Sequence, residues 1–155
     1  MFNLNQCLTP KAVRAELSVA NKKALFQQLA LLAAQAHHVD GTVVLDRLTE
    51  RERLGSTGFG GGIAIPHGKI EGLSSVIGVL CHLTAPIDFE AIDDLPVDLV
   101  FMLLSPVDGG PDHLKALATV SRMMRDQDFV AKLRGAVNND ALLALLTGYE
   151  QPANA

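Results

Sequence analysis

The chain has 155 residues, of which 48% are hydrophobic and 19% charged, a size and balance that suit one folded domain and leave too little charge for disorder. A net charge of -4 disfavours nucleic acid as a general partner, and the absence of any run of about 18 apolar residues disfavours membrane insertion. The opening segment lacks a basic region followed by an apolar stretch, so it does not read as a secretory signal, and the two distant cysteines, Cys7 and Cys81, read as reduced core or near-core thiols of a cytoplasmic protein.

In chain order, Val13, Ala15 and Leu17 alternate with polar neighbours and predict a short strand. Asn21 is the expected cap of a helix through Ala36, with Leu25, Leu29, Leu32 and Ala36 on one face. Asp40-Gly41 breaks that run. Thr42 is the expected cap of a second helix, with Val44, Leu45 and Leu48 inward and Arg47, Glu50, Arg51, Glu52 and Arg53 mostly outward. Residues 55–62 read GSTGFGGG, where neither helix nor ordinary strand is expected to persist. They run into a short strand, Ile63-Ala64-Ile65, stopped by Pro66. Longer strands are expected at 76–83 and 97–104, the second so uniformly apolar that both of its faces must be covered.

Beyond Gly109-Gly110-Pro111, Asp112 is the expected cap of a helix to about Met124, with Leu114, Leu117, Ala118 and Ser121 inward. Two shorter helices are expected around 129–133 and 141–146, and a frayed tail over 148–155. This order predicts a single-domain α/β sandwich, with a core at about 8–147 and a sheet flanked by helices on both faces.

The five histidines are not equivalent. His37 and His38 end the first long helix and read as structural, and His82 lies in a strand pattern and reads as a solvent-side or edge position. His67 instead follows Pro66 at a strand's end and precedes Gly68, where a side chain is held by the sheet yet open to a partner. Amides of Gly58, Gly60, Gly61 and Gly62 can form an anion nest, and an unprotonated imidazole beside such a nest can attack phosphorus. The same Pro-His-Gly turn can also be merely structural, since no P-loop pattern is present. His113, in the first turn of a helix, is placed either to assist a bound anion or to sit in the core.

The blocks Arg51-Glu52-Arg53-Leu54-Gly55-Ser56-Thr57-Gly58 and Gly62-Ile63-Ala64-Ile65-Pro66-His67-Gly68-Lys69 resemble the fructose/mannitol-type IIA domains of the bacterial phosphotransferase system, and most of all their nitrogen-related branch. Ile87 to Asp94, Pro96 to Phe101 and the Pro106 to His113-Leu114 element fit the same branch, so the resemblance spans roughly residues 8 to 147. It implies a mixed-sheet α/β sandwich and a phosphoryl group accepted on His67 from the phosphohistidine of an HPr-like (NPr) carrier, favouring Nε2, with support from His113 and Arg51. The phosphate-binding set it implies is Ser56, Gly58, Gly60, Gly61, Gly62 and Gly68. No cofactor or metal is implied. The branch implies a regulator of targets such as potassium-transport or sensor proteins, and the lack of an attached IIB or permease segment favours regulation over sugar uptake.

Where the family's loop usually reads Gly-Ile-Gly-Asn-Gly, this chain has Gly58-Phe59-Gly60-Gly61-Gly62; glycine keeps a positive φ accessible, so the loop's shape is expected to survive while phosphate retention is altered. Three alternatives stay open: an interaction module without phosphotransfer, a relay to a separate IIB domain, and a zinc hydrolase built on His67, His82 and His113.

Overall fold

The computed structural model describes residues 3–149. A short helix α1 (Leu4–Cys7) and a 3-10 turn (Pro10–Ala12) lead into β1 (Val13–Leu17), α2 (Lys22–His37) and α3 (Gly41–Arg53). Then follow β2 (Gly58–Gly60), β3 (Ile63–Ala64), β4 (His67–Ile70), β5 (Ile77–Ile87) and β6 (Val97–Pro106), and the chain closes with α4 (Asp112–Arg125), α5 (Gln127–Arg134) and α6 (Asn139–Thr147). The expected tail over 150–155 lies outside the described residues. Tyr149 is not frayed: its ring packs on Phe129 with centroids 4.4 Å apart.

The strands form one mixed sheet in the order β1-β5-β6-β3-β2, with β4 also paired to β6. β5 and β6 are antiparallel, whereas β1 runs parallel to β5, and β3 and β4 run parallel to β6. Every residue from Leu99 to Ser105 on β6 is fully buried. Successive side chains of a strand point to opposite faces, so both faces of the sheet are covered there.

β3 and β4 are two pieces of one path along β6. Ile63 pairs with Leu99 and His67 with Leu103, with the Pro66 carbonyl accepting from the Leu103 amide at 2.9 Å. Proline removes a donor at the break, so the chain kinks there and resumes with His67 as the first residue of a new strand. This corrects the expectation that His67 sits at a strand's end.

Other expectations shift for local reasons. The cap of α3 is Asp40, whose carboxylate accepts from the Thr42 amide at 2.9 Å, so Thr42 is already helical. Asp112 is likewise the first helical residue after Pro111. The inner face of α4 is Ala116, Val120, Met123 and Met124, leaving Leu114 70% exposed. The glycine-rich segment does hold strand structure, because Gly58 and Gly60 pair with Ala64 and Ile63 in a tight hairpin.

Glu52 does not face outward either. Its side chain, 8% exposed, takes the Lys22 ammonium at 2.7 Å and the Thr57 hydroxyl at 2.5 Å. Lys22 also donates to the Phe89 carbonyl at 3.0 Å and lies over the Phe89 ring. One carboxylate thus ties the start of α2, the end of α3 and the entry to the hairpin, and its removal strands a partly buried ammonium. Glu52→Ala is therefore expected to lower the unfolding free energy by about 3 kcal/mol in urea denaturation.

At the hairpin tip, Gly60, Gly61 and Gly62 have φ of 110°, 68° and 81°. A Cβ at Gly61 meets nothing within 4 Å, and asparagine tolerates this left-handed conformation. Gly61→Asn is expected to leave stability within about 0.5 kcal/mol in the same measurement, because the restriction of the unfolded chain offsets the residual cost of the left-handed conformation.

Candidate functional site

His67 is half-buried at the start of β4, and both of its ring nitrogens are engaged. Nδ1 lies 2.8 Å from the Ile65 carbonyl oxygen, and Nε2 lies 3.2 Å from Nε of Arg51. A carbonyl only accepts and a guanidinium only donates, so the ring hydrogen is on Nδ1 and the lone pair on Nε2. Nε2 is thus the unprotonated nitrogen, and its lone pair accepts from Arg51.

Arg51 reaches His67 because α3 lies close against β4. A Cβ at Gly68 would stand 3.2 Å from the Cβ of Arg47, so glycine there permits the approach. One helical turn beyond Arg47 is Arg51, whose Nη1 also donates to the Gly55 carbonyl at 2.9 Å. Arg47 itself is paired with Glu50 at 2.9 Å.

His113 joins from α4. Its ring centroid is 5.8 Å from that of His67, and its Nδ1 is 2.6 Å from Oγ of Ser105. The register pairs His67 with Leu103 and Lys69 with Ser105, so these side chains share one face of the sheet. Burial pushes the His67 imidazole below the ordinary value; the Arg51 charge adds to that, while the bond to Ile65 and Glu52 oppose it. Burial also lowers His113, helped by the neighbouring His67 and the Lys69 charge. Both rings are neutral near pH 7, and the charges gathered around them, Arg51 and Lys69, suit an incoming anion. The N-terminus of the 14-residue helix α4 adds to that potential.

The structure thus brings together His67, His113, Arg51 and Gly68, the last in a packing role. It does not bring the glycine hairpin to them. Ile63 and His67 pair with Leu99 and Leu103, so the hairpin tip lies at least about 13 Å from His67 along β6. There the Gly61 amide donates to Asp93 at 3.0 Å, and Arg134 bridges the Gly61 carbonyl and Asp98. Gly58 is a paired strand residue, with Ser56 Oγ accepting from its amide at 3.1 Å. The expected nest of Gly60, Gly61 and Gly62 against the imidazole is therefore corrected: a proline-broken strand separates them.

His82 is not at an edge, and its side chain is only partly open to solvent. It lies on β5, between β1 and β6, and its Nε2 is 3.5 Å from the Asp98 carboxylate. It pairs with Leu99, four residues along β6 from the partner of His67, which separates it from the other two histidines of the zinc alternative. No group of three or more His, Cys, Asp or Glu side chains is placed to hold a metal among the described residues. His37 is structural, its Nε2 donating to the Gly78 carbonyl at 2.9 Å, and His38 closes α2 in the left-handed conformation. The residue-by-residue reading missed Ser105 and Lys69. The available signals were a lone hydroxyl ending an apolar strand and a lysine directly after His67-Gly68.

The sequence profile of the family described as "Phosphoenolpyruvate-dependent sugar phosphotransferase system, EIIA 2" matches residues 6–149. A "Nitrogen regulatory protein" of Bradyrhizobium diazoefficiens is 43% identical over 143 residues, covering 92% of this chain and 94% of that protein. One of Pseudomonas aeruginosa is 40% identical over 147 residues, covering 94% of this chain and 96% of that protein. The crystal structure of "Nitrogen Regulatory Protein IIA-Ntr" from Neisseria meningitidis superposes with a TM-score of 0.86 at 30% identity, covering 93% of this chain and 99% of that one. No helix of the described residues is long and apolar enough to cross a membrane.

Native His37, His67 and His113 all titrate below the ordinary 6.5, so on acidification the unfolded chain binds protons first. Stability is expected to be full above about pH 6.5 and to fall as the pH drops toward the native values, as followed by urea denaturation at stepped pH. In an NMR titration His67 should titrate below 6.5. Arg51→Ala should raise that value only in part, because burial is the larger cause.

Proposed function

This chain belongs to the EIIA 2 family of the phosphoenolpyruvate-dependent sugar phosphotransferase system, and on that premise we propose that it is a phosphoryl carrier whose accepting atom is Nε2 of His67. The observation that carries this reading is the hydrogen bond from Nδ1 to the Ile65 carbonyl, which leaves the Nε2 lone pair available without a deprotonation step.

The donor is the phosphohistidine of an HPr-like carrier. The Nε2 lone pair attacks phosphorus, a new N–P bond forms as the donor's N–P bond breaks, and that electron pair returns to the donor ring. The transition state is loose, so positioning and charge stabilisation dominate the catalysis. Arg51 first donates to the lone pair; as the phosphoryl group arrives, its guanidinium turns to the phosphoryl oxygens. His113 donates to the same group. Both donor and product are phosphoramidates, so transfer is nearly balanced and reversible.

The physiological role we propose is regulatory and cytoplasmic, in keeping with the names of the relatives. Phosphorylation adds about 1.5 to 2 negative charges at one point of the surface, enough to change which partner that surface fits. Exposed Leu54, just past Arg51, and exposed Leu114, next to His113, lie where such a partner meets the site. Targets of the potassium-transport or sensor class are the proposed partners.

The test is incubation with a phosphorylated HPr-like carrier, followed by intact-mass measurement. One acid-labile, alkali-stable phosphoryl group is expected. His67→Ala should take up none, and Arg51→Ala should accept it about 100-fold more slowly. If the unaltered chain takes up nothing, the carrier reading is wrong and an interaction module replaces it.

A further inference from the structure

Ser105 is fully buried on β6, and among the described residues only Thr57 is another buried residue of polar or charged type. It ends a run of six fully buried apolar residues, Leu99 to Leu104. A hydroxyl in such a place is unfavourable unless it is hydrogen-bonded, and its partner is Nδ1 of His113 at 2.6 Å.

We propose that Ser105 is the positioning residue of this site: its hydroxyl donates to Nδ1 of His113, fixes the ring hydrogen on Nε2, and so supplies the donor that meets a phosphoryl group on His67. The proposal deepens the carrier reading above and rests on it.

The direction of the bond follows from what each atom has left. Among the described residues Ser105 Oγ has no other hydrogen-bond partner. Were His113 to donate from Nδ1, the buried hydroxyl hydrogen would have no acceptor. With the serine donating, both atoms are satisfied and Nε2 carries the hydrogen. Burial and the nearby Lys69 charge keep His113 neutral, so it has one ring hydrogen and its location matters. No protein group is hydrogen-bonded to that Nε2 among the described residues. The His113 ring stands 5.8 Å from His67, at an interplanar angle of 51°.

The two histidines are then complementary. The Ile65 carbonyl puts the His67 hydrogen on Nδ1 and the lone pair on Nε2, whereas the Ser105 hydroxyl does the reverse for His113. One ring is set as acceptor of phosphorus and its neighbour as donor to the phosphoryl oxygens.

Long-range nitrogen–proton NMR of the full chain reads the tautomer of each histidine without any phosphoryl donor. At a pH where His113 is neutral, its Nδ1 should resonate as a bare nitrogen and its Nε2 as a protonated one. Ser105→Ala should mix the two forms for His113 while leaving His67 unchanged, and should slow transfer from the phosphorylated carrier about tenfold. A protonated Nδ1 on His113 in the unaltered protein, or a spectrum that Ser105→Ala does not alter, would overturn the proposal. Either result alongside normal phosphoryl uptake condemns the Ser105 assignment alone, whereas no uptake by the unaltered chain removes the carrier reading and this proposal with it.

Discussion

The bond between Nδ1 of His67 and the carbonyl of Ile65 spans two residues of the same chain and measures 2.8 Å. It is possible because Pro66 breaks the strand between them, freeing that carbonyl from the ladder and turning it toward the ring. Everything chemical about the site follows from the hydrogen this contact holds in place. The opposite nitrogen keeps its lone pair, the Arg51 guanidinium can address it, and burial makes protonation unfavourable.

The rest of the fold keeps the partners of that ring at the right distance. β6 is the rail: it carries His67 through Pro66 and Leu103, and it presents Ser105 to the helix that brings His113. α3 is the second support, close enough to β4 that a Cβ at position 68 would stand only 3.2 Å from that of Arg47. Its end is held by the carboxylate of Glu52, bonded to Lys22 and Thr57, so the residue next to Arg51 in sequence is anchored in three directions. The site is therefore built on regular elements rather than on loops, which limits the freedom of its side chains.

Much of this was legible from residue order. The uniform run from Val97 to Leu104 announced a strand covered on both faces, and Pro66 announced the break after which His67 begins β4. What was not legible depended on distance through space. Three glycines six residues or so before His67 look adjacent to it in sequence, yet an extended chain travels about 3.3 Å per residue and carries them to the far end of the strand. Glu52 reads as one charge among five on a helix surface, and only the placement of Lys22 and Thr57 reveals why it is buried. Leu114 follows the helical period, but the stripe that packs inward runs through Ala116, Val120 and Met123, beside the one formed by Leu114, Leu117, Ala118 and Ser121, so periodicity picked the wrong stripe. Ser105 carries no pattern at all; its meaning lies in an atom eight residues away.

Both thiols sit wholly inside the core, and burial pushes each up to about 12. At neutral pH neither exists appreciably as a thiolate, so oxidants and alkylating reagents find no target on the closed molecule. Cys7 lies against the backbone of Gly78, and Cys81 sits mid-strand, opposite Val100. Reaching the first requires the short N-terminal helix to lift away, and reaching the second requires the central strands to part. The two sulfurs thus act as internal clocks for peripheral breathing and for global opening, independent of anything that happens at the imidazoles.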